Sequence, residues 1–368
     1  MSLIHLDASK CVRSLSVESQ CNKCEVVCPT AAIIVGDNPL PSINFSTCVS
    51  CGACHGVCPN EALGLENFNA TDFFFDFVED KKEYLISCHK NVPCIAALSV
   101  EYLISTAVLK KELVLDIGYC ESCEIASTCY KQIVQNYEEA TYLLEAMQND
   151  ATIKLEKISY AVENEKTSDR RDFLSALNLK SVAKIKKSFE DEVKKASDEL
   201  TAYTLQKTDI ALLKQKRIPQ KRKIFFTAIK RVEKPSMYHV VDASEVSFTS
   251  QKIMDESLCT ACQMCYRVCP TGALSSDIRN SKIDFDPFLC IKCNICHDVC
   301  APDAITLSGA YNVKEFFEPS VINLISFRVR KCHECDMSFS TNKPERLCPR
   351  CKTEEEEARS LWGITEDM

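Results

Sequence analysis

The sequence predicts an α+β chain with two small, similar, cysteine-rich modules, separated by an α/β insert and a helical segment and followed by a third cysteine module. Three observations lead to this prediction. The 368 residues include 25 cysteines but only 8 glycines. Most of the cysteines recur in four similar groups that form two pairs. Between residues 131 and 231 both cysteine and glycine are absent, while apolar residues recur at helical spacing.

The composition also excludes several classes of protein. The glycines stand singly, so the chain has no G-x-G-x-x-G or Walker loop, and we expect no nucleotide cofactor on it. The N-terminus lacks the basic and apolar regions of a secretory signal. No apolar run approaches the roughly 18–20 residues of a membrane span. We therefore expect a cytoplasmic protein, in which disulfides are rare and the cysteines are metal or cluster ligands.

Three of the four cysteine groups have the spacing C-x2-C-x2-C-x3-C and the first is similar, and three of the four continue directly into proline. Three cysteines at this spacing wrap a tight loop around one metal cluster, whereas the fourth points away from it. The first group lacks one of the two-residue steps and has a cysteine further upstream instead. The groups contain Cys11, Cys21, Cys24 and Cys28; Cys48, Cys51, Cys54 and Cys58; Cys259, Cys262, Cys265 and Cys269; and Cys290, Cys293, Cys296 and Cys300.

This pattern resembles the bacterial-type 2[4Fe–4S] dicluster ferredoxins, in which the fourth cysteine of each group ligates the other cluster. The resemblance implies four [4Fe–4S] clusters, and electron transfer as their use. Carried over position by position, it implies four ligand sets: Cys11, Cys21, Cys24 and Cys58; Cys48, Cys51, Cys54 and Cys28; Cys259, Cys262, Cys265 and Cys300; and Cys290, Cys293, Cys296 and Cys269.

The sequence departs from the ferredoxin pattern at two places. Nine residues separate Cys11 from Cys21, where the family usually has two, so we expect an outward-bulging surface loop. Cys300 is followed by Ala301 and then Pro302, which shifts the proline by one position. Unrelated zinc knuckles or free thiols are the alternative interpretation, which the order of sixteen cysteines disfavours.

The C-terminal cysteines form a second pattern, two C-x2-C pairs twelve residues apart, which is typical of a tetrahedral zinc ribbon. Rubredoxin-type iron is the alternative, but Asp336 and Lys352 occupy positions where that site usually has glycine. We expect His333 to be a surface residue. The acidic run 354–357 disfavours nucleic acid and favours a docking role. The predicted zinc ligands are Cys332, Cys335, Cys348 and Cys351.

Five cysteines remain, in a predicted strand–helix–strand segment. Parallel strands joined by a helix end on the same sheet edge, so four of the thiols could converge on a fifth cluster or a zinc ion. Isolated buried thiols and a redox dithiol at Cys120 and Cys123 are the alternatives. We expect Cys129 to be the spare cysteine and His89 to be a neighbour of the site. The converging thiols belong to Cys88, Cys94, Cys120 and Cys123.

Three further segments have simpler interpretations. The aromatic run 73–77 predicts core or strand packing, with a partner surface as the alternative. Apolar residues spaced from Ile185 to Leu200 predict an amphipathic helix. The basic run from Lys214 to Arg231 predicts a solvated basic face. The first alternative is docking to an acidic partner, and the next is binding to an anionic membrane or to nucleic acid. The positive charge of this run would also offset the negative charge of nearby clusters.

These predictions divide the chain into five units. They are an N-terminal dicluster module at 1–70, an α/β insert at 71–130, a charged helical arm at 131–235, a second dicluster module at 236–312 and a zinc-ribbon-like module at 313–368. The formal net charge of −8 would become about −18 with four clusters and one zinc, each carrying about −2 with its thiolates.

The sequence contains no catalytic constellation, so we predict an electron carrier with no catalytic residues of its own. Modular proteins that resemble this chain are subunits or partners of oxidoreductases such as formate dehydrogenases and hydrogenases. We therefore expect a polyferredoxin that relays single electrons within such a complex, with peripheral membrane association left open. The alternative is a cluster-bearing assembly, scaffold or redox-sensing protein that docks a client through its ribbon and helical arm.

Overall fold

The N-terminal module is assembled from very short elements around an apolar centre. The computed structural model of the chain describes residues 4–158 and 215–362. In this module the outer strands pair antiparallel, with Ile4 opposite Leu65, and the inner strands form a second antiparallel pair. Alternate residues of the outer strands are buried, as expected for strands with one face in the core. The elements are β1 (Ile4–Leu6), α1 (Lys23–Val26), β2 (Ile33–Ile34), β3 (Ser42–Ile43), α2 (Ala53–Val57) and β4 (Leu63–Leu65).

The insert is a small α/β unit with a three-stranded parallel sheet. The predicted strand–helix–strand plan is confirmed, since the strands before Cys88 and before Cys120 run parallel and are joined by a buried helix. A third parallel strand, which the sequence analysis missed, pairs with the second. The elements are α3 (Ala70–Glu79), β5 (Leu85–Ile86), α4 (Val100–Lys110), β6 (Glu112–Asp116), α5 (Ala126–Ala146) and β7 (Thr152–Glu156).

The structure corrects two expectations about this part of the chain. The aromatic run packs into the core, as expected, but it does so as part of helix α3 and not as a strand; Phe74 and Phe77 are buried and Phe75 is exposed. The predicted boundary at residue 131 lies inside α5, and β7 extends the insert into the expected helical arm. The amphipathic segment from Ile185 to Leu200, together with Lys214, lies outside the described residues.

The second module repeats the arrangement of the first and then enlarges it. Its outer strands β9 and β12 pair antiparallel, as do β10 and β11, while β14 adds to this second sheet. Because β14 ends at Ser326, the module extends beyond the predicted boundary at 312. The elements are α6 (Gln220–Ile229), β8 (Val240–Asp242), β9 (Lys252–Met254), α7 (Met264–Arg267), β10 (Leu274–Ser275), β11 (Lys282–Phe285), α8 (Ile295–Asp298), β12 (Ile305–Leu307), β13 (Ala310–Asn312), α9 (Lys314–Phe317) and β14 (Ile322–Ser326).

The C-terminal module is a hairpin followed by a helix. β15 (Arg328–Lys331) pairs antiparallel with β16 (Ser338–Thr341), and α10 (Pro349–Leu361) follows. Cys348 lies at the N-cap of α10 and Pro349 is the first helical residue. Proline suits this position because a backbone N–H in the first turn would have no partner within the helix. Most of α10 is exposed. In the parts of the chain that the structure describes, no helix has both the length and the apolar character needed to cross a bilayer.

Helix α6 joins three units through two of its side chains, Arg222 and Lys221. The Arg222 guanidinium is 1% exposed, and its Nε donates to Glu101 Oε1 of the insert at 2.7 Å. Its other nitrogens donate to the backbone carbonyls of Phe248 and Phe288, on either side of β9 to β11. The neighbouring Lys221 donates to the Cys58 carbonyl of the N-terminal module at 2.7 Å. A buried charge needs such partners, so these two cations fix the relative positions of the units.

We predict that Arg222→Met lowers the free energy of unfolding by about 3–5 kcal/mol, because it leaves the buried Glu101 with only the more distant Lys221, at 3.6 Å, as an ion-pair partner. Anaerobic urea titration followed by circular dichroism measures the change. Lys223→Met is the matched control, since Lys223 is the next residue of the same helix and is exposed. Equal unfolding midpoints for the two variants would contradict the structural role of Arg222.

Candidate iron–sulfur and metal centres

One cysteine quartet of the N-terminal module surrounds a small cavity. Its wall includes Ile4, Ile33 and Leu65, so the cysteines open into an apolar space between the strand pairs. The backbone N–H of Ala32 donates to one of these sulfurs, Cys28 Sγ, at 3.2 Å. Such bonds stabilise a thiolate. The quartet is the predicted set Cys28, Cys48, Cys51 and Cys54.

The other N-terminal quartet depends on how the long loop after Cys11 folds. Arg13 donates to the carbonyls of Ser19 at 2.7 Å and Cys21 at 3.3 Å, so the loop closes on itself. The closed loop places Cys11 near Cys21. The pKa of Cys11 rises to about 12, mainly because the thiol is buried and also because Cys58 and Cys21 are close to it. Cys24 has all three of these thiols as electrostatic neighbours. The structure thus brings together Cys11, Cys21, Cys24 and Cys58.

The second module contains two further cavities, and each is lined by one predicted quartet. The first also has Met254, Ile283 and Ile305 in its wall. The second is bounded by Leu274 and Phe285. The two quartets are Cys259, Cys262, Cys265 and Cys300, and Cys269, Cys290, Cys293 and Cys296.

The same turn follows the last cysteine of each of the four repeats. The residue three positions after that cysteine has a left-handed backbone in every case, which is uncommon outside glycine. Asp303 adopts it although the proline before it is shifted by one position, so the departure noted in the sequence does not alter the turn. The four residues and their φ angles are Ala31 (50°), Glu61 (52°), Gly272 (76°) and Asp303 (50°).

Burial and mutual repulsion raise the pKa of many of these thiols. Burial is the largest cause for Cys265 and Cys296, whose pKa values both rise to about 12, and thiols of the same and the adjoining quartet add to the effect. Four such groups cannot all ionise in an apolar cavity without positive charge at its centre. A cluster of iron ions supplies that charge, so the cysteines present fit this cofactor.

The insert brings its own four cysteines together at one edge of its sheet. Cys88 follows β5, and Cys120 and Cys123 follow β6. Burial raises the pKa of Cys120 to about 12, with Cys94, Cys88 and Cys123 as further causes. His89 stacks on Tyr119 with ring centroids 3.3 Å apart, which agrees with its expected place as a neighbour.

Comparison with known protein families identifies the two cysteine-rich modules. Residues 245–305 match the family described as "4Fe-4S dicluster domain". Residues 41–64 match the family described as "4Fe-4S binding domain". The chain contains ferredoxin-type 4Fe–4S domains. These matches include all eight cysteines of the second module and one complete cysteine group of the first.

A curated relative contains a similar region. It is one of the subunits of the "Na(+)-translocating ferredoxin:NAD(+) oxidoreductase complex" of Acetobacterium woodii, and the two sequences are 32% identical over 66 residues. The similarity spans 18% of this chain and 16% of that relative.

The C-terminal quartet differs from those of the ferredoxin-type domains because, among the residues described, it alone has all of its sulfurs in one compact group. The four ligand atoms are all within 4.8 Å of one another, and Cys335 Sγ lies 3.8 Å from Cys348 Sγ. The backbone N–H of Cys348 donates to Cys332, which lowers the pKa of that thiol to about 6. Asp336 supplies the left-handed conformation (φ 58°) of the position where rubredoxins have glycine. The quartet Cys332, Cys335, Cys348 and Cys351 therefore fits one tetrahedral ion such as zinc.

The basic segment before the second ferredoxin-type domain is exposed at most of its described basic residues, as predicted for a solvated face, but two of its cations are buried. Lys221 and Arg222 are buried at the junction between units. Lys216 Nζ donates to the carbonyls of Arg267 and Cys269, both at 2.5 Å, beside the cysteines of the second domain. The other basic residues described in this segment are exposed, namely Lys216, Arg217, Lys223, Lys230 and Arg231. Positive charge next to the quartets agrees with the predicted offset of cluster charge.

Sequence reasoning missed several residues that organise these sites. The role of Arg13 depends on a loop conformation that no local pattern indicates. Lys252 Nζ lies 2.7 Å from His297 Nε2. Burial raises the pKa of Cys296, and the positive charge of Lys252 lowers it and so offsets part of that effect. Cys129, expected to be a spare, is buried against Cys51 and Cys94.

We predict that Cys11→Ala lowers the iron content by about one to four atoms per chain, since one quartet loses a ligand and its cluster is either degraded or lost. Iron and sulfide analysis of anaerobically purified protein measures this loss. Ser14→Ala is the control, because Ser14 lies in the same loop but offers no thiolate. An unchanged iron content in Cys11→Ala would remove Cys11 from the ligand set.

We predict that Cys351→Ser removes about one zinc ion per chain and leaves the iron content unchanged, because the ribbon quartet is separate from the ferredoxin-type domains. Elemental analysis by mass spectrometry distinguishes the two metals. The control is Thr353→Ala, an exposed position on the same helix. A loss of iron in place of zinc would establish the rubredoxin-type alternative.

Proposed function

We propose that this chain is an electron-transfer protein that holds four [4Fe–4S] clusters and one zinc ion and relays single electrons between a redox enzyme and its partner. Clusters with four thiolate ligands exchange one electron at a time and offer no open position for a substrate. The observation that carries the proposal is the arrangement of the four ferredoxin-type quartets, which follow one another in a continuous row.

Within each ferredoxin-type domain the two quartets adjoin. Cys24 of one quartet is among the causes that raise the pKa of Cys54 in the other, after burial and Cys51. The second domain repeats this relation, since Cys296 follows burial as a cause of the raised pKa of Cys265. In both domains the two interacting thiols are the third cysteines of their groups. The repeated sequence therefore places the two quartets of each domain in the same relative position.

The two ferredoxin-type domains also contact each other through their cysteine loops. The backbone N–H of Gln20, next to Cys21, donates to Asp298 Oδ2 at 2.9 Å. Lys23 Nζ donates to the carbonyl of Lys292 at 3.4 Å, between Cys290 and Cys293. The quartet that contains Cys21 therefore faces the quartet that contains Cys293, and the row continues across the interface.

The zinc ribbon adjoins the far end of this row. Ser340 Oγ donates to the Asn280 carbonyl at 2.5 Å, and Lys343 is an electrostatic neighbour of Cys259. Helix α10 projects the exposed acidic run 354–357 beyond the domain. We propose that the ribbon and this helix dock a partner protein. A basic surface on that partner would suit both the helix and the negative charge of the chain.

The relative's printed name supports a place in a larger assembly. Because that relative belongs to a ferredoxin:NAD(+) oxidoreductase complex, we propose that this chain is likewise a non-catalytic subunit or partner of an oxidoreductase. A formate dehydrogenase or hydrogenase partner and a cytoplasmic location belong to the same proposal. The nucleotide cofactor would then be bound by another subunit.

A second candidate function is that of a scaffold or redox sensor that grips a client protein. The exposed helix α10 favours it, because this helix makes few contacts with the rest of the described chain. The two functions differ in what the reduced protein does. A relay transfers its electrons to a partner enzyme, whereas a scaffold or sensor keeps its client without sustained turnover.

We predict that affinity purification of the chain under anaerobic conditions recovers an oxidoreductase, and that adding the reduced chain to this enzyme reoxidises the clusters within its turnover time. Optical bleaching and electron paramagnetic resonance measure the redox state. Raising the ionic strength should slow the transfer, because the holoprotein carries about −18 charges. Clusters that stay oxidised at the donor's potential, or reduced beside the co-purified enzyme, would contradict the relay.

A further inference from the structure

The four cysteines of the insert meet at one edge of a parallel sheet. Strands β5 and β6 are adjacent and parallel, so the loops that follow them lie side by side. Cys88 and Cys94 belong to the first loop, and Cys120 and Cys123 belong to the second. Cys94 and Cys123 are both among the thiols that raise the pKa of Cys88. The fold therefore forms a four-thiol site from two loops without any ferredoxin repeat.

The spacing of the sulfurs indicates which kind of metal group this site fits. Four thiolates around one zinc ion lie about 3.8 Å apart, since each Zn–S bond is about 2.3 Å long. The ribbon quartet has this spacing. Among the residues that the structure describes, no three ligand atoms of the insert quartet lie that close together, and the same is true of the four ferredoxin-type quartets. The insert quartet thus shares with the ferredoxin-type quartets the lack of the compact spacing that a single zinc ion needs, which favours a polynuclear core.

The insert site lies directly against the N-terminal ferredoxin-type domain. Helix α2 carries Cys54 and packs on the turn Ile95–Ala97, which begins immediately after Cys94. This contact has no room for side chains. A Cβ atom on Gly56 would lie 2.1 Å from the Ala96 carbonyl oxygen, and one on Gly52 would lie 2.7 Å from Ala97 Cβ. The two glycines therefore let the backbones approach closely beside both sites.

The thiol of Cys129 occupies the space between the two sites. This side chain is 2% exposed and projects from α5. It lies beside Cys51 of the ferredoxin-type quartet and beside Cys94 of the insert quartet. Cys51 and Cys94 would be thiolates when they ligate clusters and would carry no proton, so the S–H group of Cys129 is the one of the three that can donate a hydrogen bond.

We propose that Cys88, Cys94, Cys120 and Cys123 hold a fifth iron–sulfur cluster, and that the Cys129 thiol links it to the neighbouring ferredoxin-type centre through Cys94 and Cys51. The site extends the row of quartets by one position at the end opposite the zinc ribbon. Its outer edge reaches the surface at Cys123, which is exposed. The use of this site as one end of a relay rests on the proposed function, whereas cluster binding does not.

The proposed link predicts a measurable property of Cys129. Hydrogen bonds to ligand sulfurs offset the negative charge of a reduced cluster and raise its reduction potential. Removing the S–H donor should therefore lower the potentials of the two centres that it contacts. It should leave the amount of bound iron unchanged, because Cys129 belongs to neither quartet.

The test compares the full-length wild-type chain with Cys120→Ser, Cys123→Ala and Cys129→Ala, all purified anaerobically. We expect each of the first two variants to lose about two or four iron atoms, for a [2Fe–2S] or a [4Fe–4S] cluster respectively, with zinc unchanged. Because the Cys123 side chain is exposed, its replacement by alanine should leave the fold intact, so that iron loss from Cys123→Ala reports on cluster binding. Cys129→Ala should keep all of its iron, while a redox titration shows two centres at lower potential.

Three outcomes would overturn the proposal. Loss of zinc from Cys123→Ala would make the site a second zinc site. Unchanged iron in both Cys120→Ser and Cys123→Ala would show that the quartet holds no cluster. Unchanged potentials in Cys129→Ala would remove the link. None of these results resembles failure of the proposed relay, in which the clusters are present but transfer no electrons to the partner.

Discussion

The buried side chain of Arg222 is the contact on which the arrangement of the insert and the second ferredoxin-type domain depends. It lies where the insert, helix α6 and the second ferredoxin-type domain meet, and its charge is balanced by Glu101. Lys221 extends the same junction to the N-terminal domain. Units joined only by flexible segments would vary in separation, and electron transfer between centres weakens steeply with distance. A buried, directional ion pair instead gives one fixed arrangement, in which the cysteine quartets of separate units remain neighbours.

Negative charge is the second constraint, because each quartet concentrates thiolates in an apolar cavity. The chain meets this constraint locally with backbone N–H groups such as that of Ala32, and regionally with lysines such as Lys216 and Lys252. Lys216 pairs with carbonyl groups next to the cysteines, so it places positive charge near the sites without competing for the sulfurs. This explains why a basic segment lies inside a chain whose net charge is −8.

The sequence was sufficient to predict local chemistry but insufficient to predict how the units pack. Cysteine spacing predicted which thiols would share a cavity, because ligand spacing and loop shape are local properties, and parallel strand ends predicted the insert quartet. The helical state of the aromatic run was missed because Phe73–Phe77 suits either a strand or a helix with one buried face. The burial of Arg222 and the position of Cys129 between two quartets were missed, because burial by distant units has no local pattern. For that reason, the contact between the insert and the N-terminal domain came from the structure alone.

The central claim is that the quartets form one row of neighbouring redox centres, and magnetic coupling between them tests it most directly. Reduced clusters that adjoin one another carry unpaired spins, which split and broaden each other's electron paramagnetic resonance signals. As the protein is progressively reduced, we expect simple signals to be replaced by interaction spectra that involve the centres of both ferredoxin-type domains. A spectrum at full reduction that equals the sum of isolated, non-interacting clusters would contradict the row.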